Sequence, residues 1–441
     1  MPKLFIVSLG CPKNLSDSEV MAGELAAAGW ELVPSEEGAD AALLNTCAFL
    51  GSAVGESEGE IRRLLRLKAR GRLSKVLVAG CLVEREKEAL LEKFPGIDAL
   101  VGVNALSMAA EAIEAGRSCI PASATRIDSP RVKARLTAPH SAYLKIADGC
   151  GNRCAYCLIP SLRGPFRSKP FESVLQEAAR LAESGAVEIS LIAQDTTSYG
   201  QDLYGRPRLA GLLKELVKIQ GVRWWRLMYV YPERVSKELI GVMKANRSVV
   251  RYLDMPLQHI SDPVLRRMNR SSTSASIKAK IEELRRAMPD IALRTNFIVG
   301  FPGETAEDFE ELAAFVKEAR FSGVGVFKYS REKGTPAADM PDQVPERIKT
   351  ERAEALVRVQ SEVVDGINAA LKGKTVEVLM DSPKFGRTYR DAPDIDGHVE
   401  VEVPEGSRPP KAGDIVKARI TGAAGYLRAG TLLPNFPTRQ S

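Results

Sequence analysis

From Ser141 to Lys328 the chain repeats one short pattern, an apolar run followed by an amphipathic stretch. The spacing predicts strands at Ser141–Ala147, Val187–Ala193, Arg223–Tyr229, Tyr252–Met255, Ala292–Val299 and Gly323–Lys328. Helical patterns separate them, among them Glu172–Ser184 and Ala306–Ala319, and Thr305 and Asp308 offer the latter an N-terminal cap. Six βα units in series give a parallel sheet curled into an incomplete barrel, whose site lies at the C-terminal ends of the strands. Glu346–Leu371 reads as a long amphipathic helix that closes this unit, 141–371.

The loop after the first of these strands carries Cys150, Cys154 and Cys157 in the order C-x-x-x-C-x-x-C. Four-iron clusters are held by cysteine thiolates, normally four. Three in one loop can bind three irons and leave the fourth without a protein ligand, and an open iron can be a reaction site. The alternatives are a zinc site or disulfides; zinc takes four ligands, usually with C-x-x-C pairs, and no fourth ligand is placed nearby. The spacing, with Tyr156 before the last cysteine, resembles the radical S-adenosylmethionine (SAM) superfamily. That resemblance implies that the open iron chelates SAM and that an electron from the cluster splits it to a 5′-deoxyadenosyl radical.

The N-terminal part, 1–120, reads as a second α/β unit. Apolar runs at Lys3–Leu9, Ala41–Asn45 and Lys75–Ala79 predict buried parallel strands, with helices near Asp17–Ala28, Glu56–Arg70 and Glu84–Phe94. This is a small doubly wound domain. Cys11, Cys47 and Cys81 each follow one of its strands, so they meet at the carboxyl edge of the sheet, where ligands of open parallel sheets gather. Three cysteines at equivalent places favour a second cluster over three small core residues. Cys119 follows no such pattern and reads as structural.

Residues 121–140, rich in Pro, Ser and Arg, read as a linker. Beyond Lys372-Gly373-Lys374 the chain alternates apolar and polar residues (TVEVLM, HVEVEV, DIVKARI), which predicts a small antiparallel β-barrel over 374–437. The whole is 44% hydrophobic and 27% charged, with a formal net charge of +6. It has no stretch apolar enough to span a bilayer, and no signal peptide. Seven cysteines without a secretory signal point to a reducing cytoplasmic compartment.

A radical SAM barrel between a three-cysteine α/β domain and a small β-barrel resembles the methylthiotransferases, in which the small barrel is called TRAM. Within that family the chain is similar to the RimO branch. The similarity rests on SLGCPKNLSDSE at Ser8–Glu19, ADGCGNRCAYCLIPSLRG at Ala147–Gly164 and AQDTTSYGQD at Ala193–Asp202. MPLQHISDPVLRRMNR at Met255–Arg270 and GRTYRDAPDIDG at Gly386–Gly397 complete it. Gly151 stands where RimO-like sequences often carry Asn, a departure between the ligands. The resemblance implies two 4Fe-4S clusters, on Cys150, Cys154 and Cys157 and on Cys11, Cys47 and Cys81, together with SAM. It implies methylthio transfer to the β-carbon of an aspartate in small-subunit ribosomal protein twelve, free or in the ribosomal subunit. An electron donor such as flavodoxin or ferredoxin and a sulfur donor would be further partners. The alternatives are a transfer-RNA adenosine methylthiotransferase and, in another class, a non-catalytic iron–sulfur ribosome-binding module.

SAM also needs polar groups at the strand ends, and Gln194, Asp195, Gln258 and Asn296 are the candidates. Gly300 and Gly303 would let backbone approach the cofactor, or are turn glycines. His259 reads as a hydrogen-bonded structural histidine, and Trp224 and Trp225 as packing. Both clusters must lie near the substrate carbon, so the N-terminal domain should dock over the barrel mouth. The C-terminal barrel interleaves acids and bases. Asp391, Asp394 and Asp396, with Glu400, Glu402 and Glu405, are expected to face a basic protein rather than phosphate, or to be an ordinary solvated face.

Overall fold

The structure is a computed structural model that describes residues 1–121 and 133–434. The N-terminal sheet holds β1 (Lys3–Ser8), β2 (Glu31–Val33), β3 (Ala41–Thr46), β4 (Lys75–Gly80) and β5 (Ala99–Val101) in the order β2-β1-β3-β4-β5, all parallel. Every residue of β3 is buried, as expected for a strand covered on both faces. Leu43 and Leu77 pack on Met21 and Leu25 of α1 (Pro12–Ala27) and on Ile113, while Leu44 and Val78 pack on Ile61 and Leu64 of α2 (Gly51–Ala69). The sheet is therefore doubly wound, as the sequence predicts.

The differences from the predicted elements have local causes. Helix α1 starts at Pro12, five residues before the predicted start, because its polar first turns are buried in the site rather than solvated. The predicted helix Glu84–Phe94 is two helices, Cys81–Glu86 and Ala89–Lys93, broken at Lys87, whose φ is +51°. The short β2 and β5 carried no readable periodicity. Cys119 extends the sheet edge, its N–H donating to the Leu100 carbonyl at 2.8 Å. Most of the predicted linker, residues 122–132, lies outside the described residues.

Six parallel strands follow in sequential order: Ser141–Lys145, Glu188–Ile192, Trp224–Leu227, Val249–Asp254, Ala292–Val299 and Gly323–Lys328. Their outward residues, Trp225 among them, pack against the surrounding helices in the largest core of the molecule. Helix Ala306–Ala319 carries the predicted cap: Thr305 Oγ1 accepts from the Asp308 N–H at 3.2 Å, and Asp308 accepts from the Thr305 N–H at 2.9 Å. Helix Glu346–Ala369 runs beside the last strand, and its Gln360 donates to the Phe321 carbonyl at 3.0 Å. His259 is fully buried, its Nδ1 accepting from the Ser261 N–H at 3.0 Å. Among the described residues no helix is long and apolar enough to cross a membrane.

The C-terminal barrel is closed and five-stranded, over Thr375–Met380, Phe385–Arg387, His398–Glu402, Leu427–Leu432 and Ile415–Ala424 in ring order. It is not antiparallel throughout, because His398–Glu402 pairs in parallel with Leu427–Leu432. An odd ring cannot alternate direction at every step, so closure of five strands forces one parallel pair. The last residues of the predicted domain, 435–437, lie outside the described residues.

The acids of this barrel's long loop do not form a free recruiting face. Asp391 pairs with Arg428 at 2.5 Å, and Asp394 accepts from Tyr143 Oη at 3.0 Å. Asp396 accepts from Tyr252 Oη at 2.7 Å and pairs with Arg294 at 3.2 Å. Tyr143, Tyr252 and Arg294 are inward-facing residues of the larger barrel, and Leu379, Tyr389 and Ala392 join its inner apolar cluster with Trp224. Fully buried Glu188 bridges Arg226 at 2.7 Å and Arg387 at 2.6 Å. The loop plugs the larger barrel. Asp394, though bonded to Tyr143, stays exposed, as do Glu400, Glu402 and Glu405.

Candidate active site at the seam of two cysteine trios

The loop bearing Cys150, Cys154 and Cys157 is an excursion pinned at its base by a two-residue antiparallel pairing, Ala147–Asp148 with Arg167–Ser168. Gly149 begins it with φ +71°, and a Cβ there would lie 2.1 Å from the Pro165 carbonyl, so only glycine fits. Each thiol meets donors. Asn152 Nδ2 lies 3.5 Å from Cys150 Sγ, and the Ile159 N–H lies 3.4 Å from Cys157 Sγ. Tyr231 Oη and Arg270 Nη1 lie 3.3 and 3.9 Å from Cys154 Sγ, with the Arg270 guanidinium stacked 4.1 Å over the Tyr231 ring.

Cys11, Cys47 and Cys81 follow β1, β3 and β4, around the point where the strand order reverses between β1 and β3. Gly10, at φ +89°, lets the neighbours close in, since a Cβ on it would sit 3.0 Å from Cys47 Sγ. Asn14 ties the strand ends together, donating to the Leu9 carbonyl at 3.0 Å and the Thr46 carbonyl at 2.9 Å. Burial pushes the thiols of Cys81 and Cys157 up to about 12. At Cys11 burial also acts upward, but the charges of Lys13 and Arg163 and nearby N–H groups outweigh it and leave the thiol below its ordinary range.

The donor sets fit iron–sulfur clusters. Both are thiols surrounded by N–H, O–H and cationic groups, the environment that stabilises cluster thiolates. Among the described residues no three or more His, Cys, Asp or Glu gather tightly enough to hold a single metal ion.

A buried ionic network joins the trios. Arg163, 1% exposed and following Cys157 on the same loop, reaches Asp17 of α1 at 2.9 Å and Asp148 at 3.0 Å, and donates to Asn14 Oδ1 at 2.5 Å. Lys145 pairs with Asp148 at 2.9 Å and with Asp17. Two cations thus balance two carboxylates. Burial pushes the Asp148 carboxyl upward, yet Arg163 and Lys145 hold it far below the usual carboxylate range. On the far side, Glu332 accepts from the Gly51 N–H at 2.7 Å, the first residue of α2, and pairs with Arg85 at 2.9 Å.

Lys13 is buried with its ammonium 3.3 Å from the centroid of the Tyr229 ring, beyond the end of the third barrel strand. Such a contact contributes ~0.5–2 kcal/mol, against several kcal/mol for desolvating an ammonium. Burial pulls the Lys13 ammonium down, but Tyr229 and Cys11 hold it above its ordinary range.

The residues predicted for SAM divide. Gln194 donates to Asp148 at 2.8 Å and leaves its buried Oε1 without a partner. Asp195 is already saturated, accepting from Thr197 Oγ1 at 2.6 Å and Ser198 Oγ at 2.7 Å and pairing with Arg234. It also accepts from Asn152 at 3.2 Å, next to Cys150. Gln258, at φ +72°, donates its N–H to the Asn296 carbonyl at 2.8 Å, and Asn296 Oδ1 accepts from Arg294 at 3.1 Å. The space beside Gly300 and Gly303 is filled by Lys349 and Arg267 rather than left for a ligand. Sequence reading missed Lys13, Asn14, Asp17, Arg163, Tyr231 and Arg270. The available signal was the string of polar residues directly after Cys11, inside a stretch that becomes a buried helix.

Three family models match: Uncharacterized protein family UPF0004 over residues 3–102, the Radical SAM superfamily over 144–316 and the TRAM domain over 373–431. The chain is 53% identical over 433 residues to "Ribosomal protein uS12 methylthiotransferase RimO" of Elusimicrobium minutum, covering 98% of this chain and 100% of that protein. The protein of the same name from Geobacter sulfurreducens is 46% identical over 445 residues, covering 98% of each. Among solved structures, the radical S-adenosylmethionine methyltransferase TsrM of Kitasatospora setae, with cobalamin and a 4Fe-4S cluster bound, aligns with TM-score 0.52. That alignment, at 17% identity over 80% of this chain and 84% of that one, is a likeness of fold. Radical SAM membership implies a 4Fe-4S cluster and SAM. Identity at this level over nearly the whole length, with all three domains matched, means that the chain belongs to the RimO family of radical SAM methylthiotransferases.

Proposed function

We propose that this chain transfers a methylthio group to the β-carbon of an aspartate in ribosomal protein uS12, using two 4Fe-4S clusters and SAM. The observation that carries the reading is the Arg163–Asp17–Lys145–Asp148 network, which fastens the element bearing Cys11 to the loop bearing Cys150, Cys154 and Cys157. The units involved are 1–120, 141–371 and 374–437. An electron donor such as flavodoxin or ferredoxin and a sulfur donor complete the reaction.

When bound, the clusters and SAM supply one-electron cleavage and a methylated sulfur, chemistry beyond any side chain. The residues of the chain position them. Cys150, Cys154 and Cys157 hold the barrel cluster, with Asn152, Tyr231, Arg270 and the Ile159 N–H donating to their sulfurs. The free Gln194 Oε1 accepts from a SAM donor, and Gln258 and Asn296 line the same strand ends. Asp195 holds Asn152 and Arg234 in place beside Cys150. Leu15, Met228 and Tyr229 keep water from the seam.

Replacing Cys11, Cys47 and Cys81 with Ala tests the division of labour. Iron in the reconstituted protein should fall by about half, SAM cleavage to 5′-deoxyadenosine should persist, and methylthio-uS12 should vanish. Undiminished methylthio-uS12 from that variant would remove the N-terminal trio from sulfur delivery.

A further inference from the structure

We propose that the Lys13 ammonium receives the side-chain carboxylate of the aspartate presented by the substrate protein, and so makes the site select an acidic residue. The inference rests on the reading that this substrate is a uS12 aspartate.

Among the described residues, the other buried cations that join the two halves of the site are paired with carboxylates, while Arg270, which has none, stands against Cys154 and the Tyr231 ring. Lys145 and Arg163 share Asp17 and Asp148, and Lys169 pairs with Glu177 at 2.5 Å. Lys13 is 8% exposed, yet among the described residues no carboxylate pairs with it, and its neighbour is the Tyr229 ring. A ring face offsets only part of the cost of burying an ammonium, so the functional complex has to bring an anion.

The position suits one anion in particular. Lys13 stands two residues after Cys11, and Tyr229 lies just past the end of the third barrel strand, so the ammonium sits between the two halves of the site. Tyr229 is itself strained, a bulky residue at φ +58°. Its carbonyl accepts from the Thr196 N–H at 3.0 Å, and its N–H donates to Asp254 at 3.3 Å. Strain maintained in this way gathers at ligand sites.

Two other anions compete. One is the N-terminal trio of thiolates with its iron. The charges of Lys13 and Arg163 both act on Cys11, so the iron content of the Lys13 variant separates this anion. The other is the SAM carboxylate, which the experiment separates.

The modified aspartate is first located by mass spectrometry of the product. Fluorescence anisotropy then measures binding of labelled uS12, and of uS12 carrying Asn at that position, to reconstituted holoenzyme. The ratio of the two Kd values is internal to each preparation, so a misfolded fraction cancels. The unsubstituted enzyme should favour the Asp form about tenfold or more. Lys13→Met should bring the ratio within about twofold, and Lys13→Arg should keep the preference. SAM affinity of the Lys13→Met enzyme should move less than about twofold. An undiminished Asp preference in Lys13→Met overturns the proposal, whether the variant loses iron, which assigns Lys13 to the cluster, or SAM affinity, which assigns it to SAM. Failure of the unsubstituted enzyme to bind uS12 overturns both this proposal and the substrate reading.

Discussion

Replacing Cys150, Cys154 and Cys157 with Ala will abolish formation of 5′-deoxyadenosine from SAM and remove about four irons per chain from the reconstituted protein. The loss should be complete rather than graded, because all three thiols are removed together and the nearby Asp195 carboxylate is already tied to Thr197, Ser198 and Arg234. The surrounding donors, Asn152, Tyr231 and Arg270, act on the sulfurs and supply no thiolate in their stead. The loop fold itself should survive, since its base is held by the Ala147–Asp148 pairing with Arg167–Ser168 rather than by metal. Iron analysis and product chromatography on the same sample check this. Residual 5′-deoxyadenosine at the unsubstituted level would show that SAM is cleaved elsewhere.

The second large effect falls on stability. Arg163→Met should destabilise the protein by about 3–5 kcal/mol, the usual result of leaving a buried charge without its partner. Lys145 alone would then face both Asp17 and Asp148, and Asn14 Oδ1 would lose its donor. Adding Asp148→Asn restores the balance of one cation and one carboxylate. Asp148 and Arg163 are in direct contact, so the two changes should not add. Denaturant unfolding of the two single variants and the double variant measures the coupling. A double variant destabilised by the full sum would mean that the four groups do not act as one network.

The sequence was most readable where side chains must be apolar on both faces. The strands preceding Cys47 and Cys81 are such runs, and strand order then brings Cys11, Cys47 and Cys81 to one sheet edge. The Thr305–Asp308 cap was legible for a related reason, because its geometry is contained in four consecutive residues. Interfaces between domains were not legible. Asp391, Asp394 and Asp396 look like a solvated acidic face, and only the folded chain brings Arg428, Tyr143, Tyr252 and Arg294 to them. Lys13, Asn14 and Asp17 disguised the start of α1 in the same way, as polar residues buried by partners remote in sequence. The parallel pair in the terminal barrel follows from ring closure, which no single strand encodes.

Modification of a protein aspartate at a seam between two clusters can be tested in one reaction. Purified holoenzyme, SAM, a low-potential reductant and a sulfur source are incubated with uS12 and with transfer RNA together, and both macromolecules are analysed by mass spectrometry. The expected product is one methylthio group in place of hydrogen on a single uS12 aspartate, with the transfer RNA unchanged. Methylthio-adenosine in the transfer RNA beside unmodified uS12 would contradict it.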